Sequence, residues 1–304
     1  MNRFLEATVF RLVYLSLYVC SLVPPVLLRR LSDILFVLLH SLLRYRSKVT
    51  LQNLARAFPD KTYADIASTA GLFYQHLARL LTDVLRLFSI SEPAIRRMVR
   101  LRNPGLLQAC HASKRDVIAV TGHYGNWEYL NILPRLTDYE VFAVYKPLKS
   151  KLAGRIVARI RSRFGMQLIP AGQAARQLMR SSPHPRLSVL IADQYPGPSS
   201  PADFCFLNQS TAAFTGAEKL ARATGAMVLY LEMEPTAAGG WEVGFSLITD
   251  TPQTCSEGEI TAKFLDKLQG TISKRPELWL WSHRRWKTGN CLPGHLQANA
   301  PAGH

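Results

Sequence analysis

The residue types best suited to chemistry stand together in one short segment, residues 117–128, which reads Val-Ile-Ala-Val-Thr-Gly-His-Tyr-Gly-Asn-Trp-Glu. An apolar run ends at Gly122 and is followed by His123 and, after four intervening residues, by Glu128. A strand end marked by a glycine is where α/β sheets present reactive groups. If the chain turns into a helix there, Glu128 comes within hydrogen-bonding reach of His123. A carboxylate behind an imidazole fixes its tautomer and stabilises the imidazolium, which leaves the other ring nitrogen free to take a proton. No Gly-x-Ser-x-Gly elbow occurs in the chain, so the nucleophile would be a hydroxyl of the substrate itself. A His-Glu-x-x-His pattern is missing too, and no Cys or His lies at ligand spacing, so neither a metal nor a cofactor is expected. On the residues alone, His123 and Glu128 serve equally well as ordinary residues at the entry of a helix.

Such a pair needs a sheet to position it, and the chain supplies one. After Pro104, short β-rich runs at residues 116–121, 140–145, 186–192, 225–232 and 241–248 alternate with helical patterns at 151–164, 215–224 and 257–273. That alternation predicts an α/β fold, a single mixed sheet covered by helices. Residues 62–90 repeat apolar side chains at helical spacing, among them Leu72, Leu77, Leu80, Leu81, Val84, Leu85 and Phe88, and read as a packing helix. Residues 288–304, rich in Gly, Pro and Ala, read as a disordered tail.

The amino-terminal part has a different texture. Residues 7–23 are apolar except for Arg11, end at Pro24 and Pro25, and are followed by a second apolar stretch at 26–43. A bilayer span needs roughly 20 apolar residues, so each run is marginal, and a tilted span, a re-entrant pair or an interfacial anchor all fit. No small-residue cleavage site follows the first run. Arg44, Arg46, Lys48 and Arg56 come next, with no acid until Asp60, as expected of a segment held at an anionic cytoplasmic surface. Residues 1–43 are therefore read as a hydrophobic helical membrane anchor and 44–287 as the catalytic domain.

The 304 residues, 48% of them hydrophobic, suffice for one sizeable core. A formal charge of +16 draws the protein towards phosphates, anionic lipid or acidic proteins. Nucleic acid is set aside, because the apolar amino terminus argues against it and no finger or RNP-like motif is present. Five scattered cysteines without a Cys-x-x-Cys pair suggest neither a disulfide framework nor a zinc site, and fit a reducing, cytosol-facing domain.

The element from His123 to Glu128 is similar to the His-x4-Glu signature of glycerolipid-type acyltransferases. Asn53-Leu-Ala-Arg-Ala-Phe-Pro59, Tyr145-Lys-Pro147, Ala192-Asp-Gln194 and Pro276-Glu-Leu-Trp-Leu-Trp-Ser-His-Arg-Arg-Trp-Lys287 narrow the likeness. Together, and in order over about residues 4 to 287, they resemble the late acyltransferases of lipid A biosynthesis. The resemblance implies a glycerolipid-acyltransferase-like fold, an inner-membrane location with the catalytic domain facing the cytoplasm, and no metal. It also implies an acyl carrier protein thioester as the usual donor, with acyl-CoA as the other, and an anionic glycolipid as acceptor. His123 would be the general base and Glu128 its orienting partner. Asn126, Lys146, Asp193, Gln194, Arg284 and Arg285 would contact substrate. Lys146 stands where the family more often has Arg, so charge is kept without the planar fork that grips phosphate. Arg284 and Arg285 are expected at a strand end.

One feature comes from spacing alone. Lys151, Arg155, Arg159 and Arg163 recur every four residues on the helix expected at 151–164, beside an apolar stripe of Leu152, Ile156, Ile160 and Phe164. Four like charges with no interleaved acid form a cationic ridge, either a solvated face or a dock for something anionic. Two rival functions remain open on the sequence: an acyltransferase for another lipid, such as a mannosylated phosphoinositide or an aminolipid, and a non-catalytic basic membrane-binding protein.

Overall fold

The computed structural model describes residues 3–197 and 204–286; the tail expected at 288–304 lies outside the described residues. In chain order come helices α1 (Arg3–Ser21), α2 (Pro25–Phe36), α3 (Ser47–Ala57), α4 (Tyr63–Arg86) and α5 (Glu92–Met98). Strand β1 (Val99–Leu101), helix α6 (Pro104–Ala112), strands β2 (Val117–Thr121) and β3 (Glu140–Tyr145) and helix α7 (Lys151–Arg161) follow. The remainder is β4 (Gln167–Pro170), α8 (Ala174–Leu178), β5 (Arg186–Ile191), the hairpin β6 (Phe204–Phe206) and β7 (Gln209–Thr211), α9 (Gly216–Thr224), β8 (Met227–Pro235), β9 (Trp241–Thr249) and α10 (Glu259–Lys274).

Seven strands form one mixed sheet in the order β1-β9-β8-β2-β5-β3-β4. All neighbours run parallel except β8 and β9, which pair antiparallel. The expected sheet is thus present, with the hairpin β6–β7 as a second small sheet beside it. All five β-rich runs became strands. β1 and β4, three and four residues long, were not anticipated because such short runs carry no periodicity to read.

β2 is buried at every residue, as a parallel strand covered on both faces must be. Its alternation divides the core in two. Ile118 and Val120 join Leu190, Val228 and Tyr230 on the face packed by α4, α9 and α10, whereas Val117 and Ala119 join Val189, Leu229 and Leu231 on the other. α4 starts with a capping box, in which Thr62 accepts from the Asp65 amide and Asp65 accepts from the Thr62 amide. At α10, Glu218 of α9 is buried and accepts from the amides of Gly258 and Thr261 at 2.6 and 3.0 Å, giving that helix an acidic cap from a neighbour.

α1 packs against α4 and α7, and α2 lies along α4. Among the described residues no single helix is long and apolar enough to cross a membrane. α1 and α2, the latter prolonged by a π-helical stretch Val37–Leu42, meet that requirement only as a pair bent by 108°. Their outer surfaces expose Leu12, Leu15, Val19, Leu22, Val26 and Leu27, among others.

The carboxyl-terminal segment is fastened from α3. Buried Asn53 donates through Nδ2 to the carbonyls of Trp281 and His283 at 2.8 and 2.9 Å, and Arg46 donates to the Ser282 carbonyl at 3.0 Å. Asn53→Ala strands two carbonyls, one of them in a buried bond, and is expected to lower the unfolding free energy by about 1–3 kcal/mol. Equilibrium urea denaturation measures this. An unchanged midpoint would show that other contacts hold the segment.

Candidate active site

β2, β5 and β3 are adjacent, and His123, Asp193 with Gln194, and Tyr145 with Lys146 stand at or just beyond their carboxyl ends, on one side of the sheet. Just after β2 the chain passes Gly122, where an added Cβ would stand 2.8 Å from Leu268 of α10 and 3.1 Å from an Asp193 oxygen. That close approach requires a residue without a side chain and lets the backbone of His123 meet the carboxylate.

Asp193 is buried and receives three hydrogen bonds. Its Oδ1 lies 2.6 Å from His123 Nδ1, and its Oδ2 accepts from the His123 amide at 2.7 Å and the Trp279 indole at 2.8 Å. Burial opposes the charge on Asp193, but the His123 charge, its two hydrogen bonds and the Trp279 indole outweigh it and hold the carboxyl below its ordinary range. Because an ionised carboxylate only accepts, Nδ1 must carry a proton, and in the neutral imidazole Nε2 then has the lone pair. That nitrogen faces Gln194, whose Nε2 is 3.3 Å away. Trp127 meets the imidazole edge-on at 5.1 Å between ring centres.

The loop after His123 is held from two sides. Gly125 donates to the Leu278 carbonyl and Leu280 donates to the His123 carbonyl, at 3.0 and 3.1 Å, so residues 123–125 pair antiparallel with 278–280 and bring Trp279 to Asp193. Gly125 has φ +66°, and a Cβ there would come 2.9 Å from Trp241, so glycine is needed for both conformation and space.

Several expected partners sit elsewhere. Glu128 does not reach His123; the carboxylate behind the imidazole belongs to Asp193. The reason is that the chain leaves His123 in an extended loop and enters a 3-10 stretch only at Trp127–Arg135, so four residues do not wrap back onto the ring. Glu128 instead grips Arg161 of α7 with both oxygens, Oε2 to Nε at 2.9 Å and Oε1 to Nη2 at 2.5 Å. Burial acts against the Arg161 charge, and Glu128 more than offsets it. Asn126 is buried and turned inward, donating to Asp83 of α4 at 2.8 Å, which removes it from any substrate. Arg285 is buried as well, with no hydrogen-bond partner for its three guanidinium nitrogens among the described residues. Burial drags it to about 10 while the Asp193 charge pulls the other way. It faces the site from inside the protein. Arg284 is exposed, and both arginines lie in an irregular segment, not at a strand end.

Lys146 is exposed and lines a cavity of ≈ 100 Å³ with Leu148, Val157, Leu168 and the Glu128-bound Arg161. On the expected ridge, Lys151, Arg155 and Arg159 are exposed, with Arg155 4.3 Å above the Phe10 ring of α1. Arg163 is withdrawn and donates to the carbonyls of Leu87 and Ile90 just beyond α4. The ridge therefore has three members, not four.

A second polar layer lies under the loop and was not foreseen. His76 of α4 bonds the Gly125 carbonyl at 3.2 Å and is pushed down to about 4, chiefly by burial. Asp83, which holds Asn126, is pushed up to about 6 by burial, against the pull of Tyr129, Arg86 and Asn126. Among the described residues no cluster of three or more His, Cys, Asp or Glu could hold a metal ion.

The fold and crevice define an α/β protein with a carboxylate-oriented histidine at the open end of its parallel strands. Residues 2–288 match the bacterial lipid A biosynthesis acyltransferase family, and the chain belongs to that family. No curated protein sequence matches it. Among solved structures it is similar to the 1-acyl-sn-glycerophosphate (LPA) acyltransferase PlsC from Thermotoga maritima, at 14% identity and a TM-score of 0.36, over 86% of this chain and 98% of that one.

The layer beneath the loop gives a pH signature of known sign. His76, folded near 4 against an ordinary 6.5, adds stability above pH 6.5 that is lost as the pH falls towards 4. Asp83, folded near 6 against an ordinary 3.8, adds stability that is full below 3.8 and lost as the pH rises through 6. The two contributions oppose each other. Relative to wild type, His76→Gln should gain stability between pH 7 and 4.5, and Asp83→Asn should lose it, when unfolding free energies are measured at several pH values. Parallel profiles in all three proteins would contradict these assignments.

Proposed function

We propose that this protein moves a fatty acyl group from an acyl carrier protein thioester, or acyl-CoA, onto a hydroxyl of a lipid A precursor. The observation that carries the reading is the His123–Asp193 pair, in which Asp193 fixes the proton on Nδ1 and leaves Nε2 as a base at the crevice. In the reaction His123 Nε2 accepts the proton of the acceptor hydroxyl while its oxygen attacks the thioester carbonyl. The tetrahedral intermediate collapses with breakage of the carbon–sulfur bond, and His123 returns the proton to the departing thiolate. No covalent acyl-enzyme and no metal enter the scheme. Asp193 is a positioning residue, as Asp is behind the histidine of hydrolytic triads. Glu128 fixes Arg161 at the wall of the Lys146 cavity, where both cations suit an anionic part of a substrate. The exposed leucines and valines of α1 and α2 support attachment to the bacterial inner membrane with the crevice on the cytoplasmic side.

His123→Ala is expected to abolish transfer in a radiolabelled-acyl assay run below the variant's own unfolding midpoint, which should fall because the buried Asp193 loses a donor. Asp193→Asn should lower kcat by on the order of 10²–10⁴, because an amide no longer dictates the tautomer. Glu128→Gln should raise KM more than it lowers kcat, since it frees Arg161 and leaves the imidazole untouched. Full activity of His123→Ala would remove the mechanism and favour a basic membrane-binding protein without catalysis.

The ridge of Lys151, Arg155 and Arg159 is the proposed contact for the acidic carrier protein. Lys151→Glu with Arg159→Glu avoids Arg155, which is engaged with Phe10. This double variant should raise KM for acyl carrier protein and flatten the salt dependence of the rate, with little change in stability, because exposed charges contribute about 0–1 kcal/mol per pair. Wild-type KM and salt dependence would leave the ridge a solvated face.

A further inference from the structure

Between α2, α4 and the turn joining β8 to β9 lies a cleft of ≈ 790 Å³, whose lining does not include His123 or Asp193. Its size falls in the range of sites that bury a small molecule, about 300–1,000 Å³. Five arginines line it: Arg29 and Arg30 of α2, Arg79 and Arg86 of α4, and Arg275 after α10. Two carboxylates, Asp33 and Asp83, share the cleft, and Asp83 is the one whose burial disfavours its charge. Arg275 pairs with Glu277 at 3.0 Å, whereas the guanidinium groups of Arg29, Arg30 and Arg79 make no ion pair or hydrogen bond among the described residues. Converging cations around a concave, partly desolvated space focus a positive potential that an anion would relieve. The same short helix that supplies Arg29 and Arg30 exposes Val26, Leu27, Leu31 and Ile34. An apolar helix lying in a membrane interface would set this cleft at the depth of lipid headgroups.

We propose that the cleft binds the phosphate group of an anionic lipid headgroup presented at the membrane surface. The proposal rests on the reading of this protein as a lipid acyltransferase for its choice of a lipid over a soluble anion. Arginine suits phosphate through its planar fork of donors. Trp241 lines the cleft and packs against His76, whose Nε2 bonds the Gly125 carbonyl, while Asp83 bonds Asn126. A headgroup held here therefore lies against the side chains that support the loop carrying His123.

The test uses the full chain and the double variant Arg30→Gln with Arg79→Gln, both at exposed positions where folding is not at stake. Lys219→Gln with Arg222→Gln, exposed on α9, removes the same charge elsewhere. Co-sedimentation with phosphatidylcholine vesicles, with and without phosphatidic acid, is read beside the quenching of Trp241 fluorescence by inorganic phosphate, assigned with Trp241→Phe. The cleft variant should lose at least fivefold in affinity for the anionic vesicles and lose the phosphate-induced quenching, while the α9 variant keeps both. If the cleft and α9 variants behave alike, the proposal is overturned. KM for a phosphorylated acceptor and for its dephosphorylated form then separates the sources. A rise confined to the phosphorylated acceptor identifies the substrate headgroup, and a change in vesicle binding alone identifies bulk lipid. Because vesicle binding needs no turnover, an active His123→Ala would remove the catalytic reading and leave this result standing.

Discussion

The site depends on one buried carboxylate. Asp193 has given up water, and such a group survives as an anion only when its lone pairs are met by donors. Those donors are the His123 imidazole, the His123 amide and the Trp279 indole. Two come from His123 and one from Trp279, so satisfying this one charge fixes where three segments meet, those of Asp193, His123 and Trp279. Trp279 arrives because residues 278–280 pair with 123–125, and that segment is in turn secured by Asn53 through the carbonyls of Trp281 and His283. The His123–Asp193 geometry is thus held by a polar relay from α3 to the end of β2. Buried apolar packing around it supplies cohesion, but only directional bonds choose the tautomer of an imidazole.

The remaining ionisable groups near the loop obey the same constraint. Glu128 and Arg161 neutralise each other with two parallel bonds, which ties the loop to α7 and leaves Lys146 as the cation without an ion pair, among the described residues, at the wall of that cavity. His76 and Asp83 sit in α4 beneath the loop, and burial drives both towards neutrality, the imidazole down and the carboxyl up. Arg285 is the exception, a buried guanidinium whose nitrogens find no acceptor among the described residues and whose burial the charge of Asp193 only partly offsets.

Much of this was legible in the sequence. The five β-rich runs and the helices at 62–90, 151–164, 215–224 and 257–273 are local patterns, and burial on a two-sided sheet or an amphipathic face writes them directly into residue order. His123 was legible because a glycine at a strand end announces an exposed reactive group. Its partner was not. Asp193 lies seventy positions away, and only the order β2-β5-β3, in which β5 inserts beside β2, brings it to the imidazole. Glu128 was the nearer carboxylate in sequence, and proximity along the chain misled because the local backbone is extended where a helix was expected. Asn126 and Arg285 were similarly misplaced, since residue type and neighbourhood do not tell which way a side chain points. The signal that could have corrected both was the Ala192-Asp-Gln194 segment, a charged residue ending a buried parallel strand, which is unstable unless something meets it.

The amino-terminal pair joins the exposed apolar surface of the protein to the elements around His123. α1 packs on α7, where Phe10 lies under Arg155, and α2 lies along α4, whose His76 and Asp83 hold the loop after His123. The two helices bend by 108° relative to each other, and each exposes apolar side chains on its outer side. Removing exposed apolar side chains from water is favourable in proportion to their area, so these helices are the part of the fold best suited to an apolar partner surface. With α7 and its cations on one flank and the cationic cleft on the other, an acyl donor and a lipid acceptor need not compete for the same approach, and the amino-terminal helices that carry the exposed apolar side chains are the ones packed on both flanks.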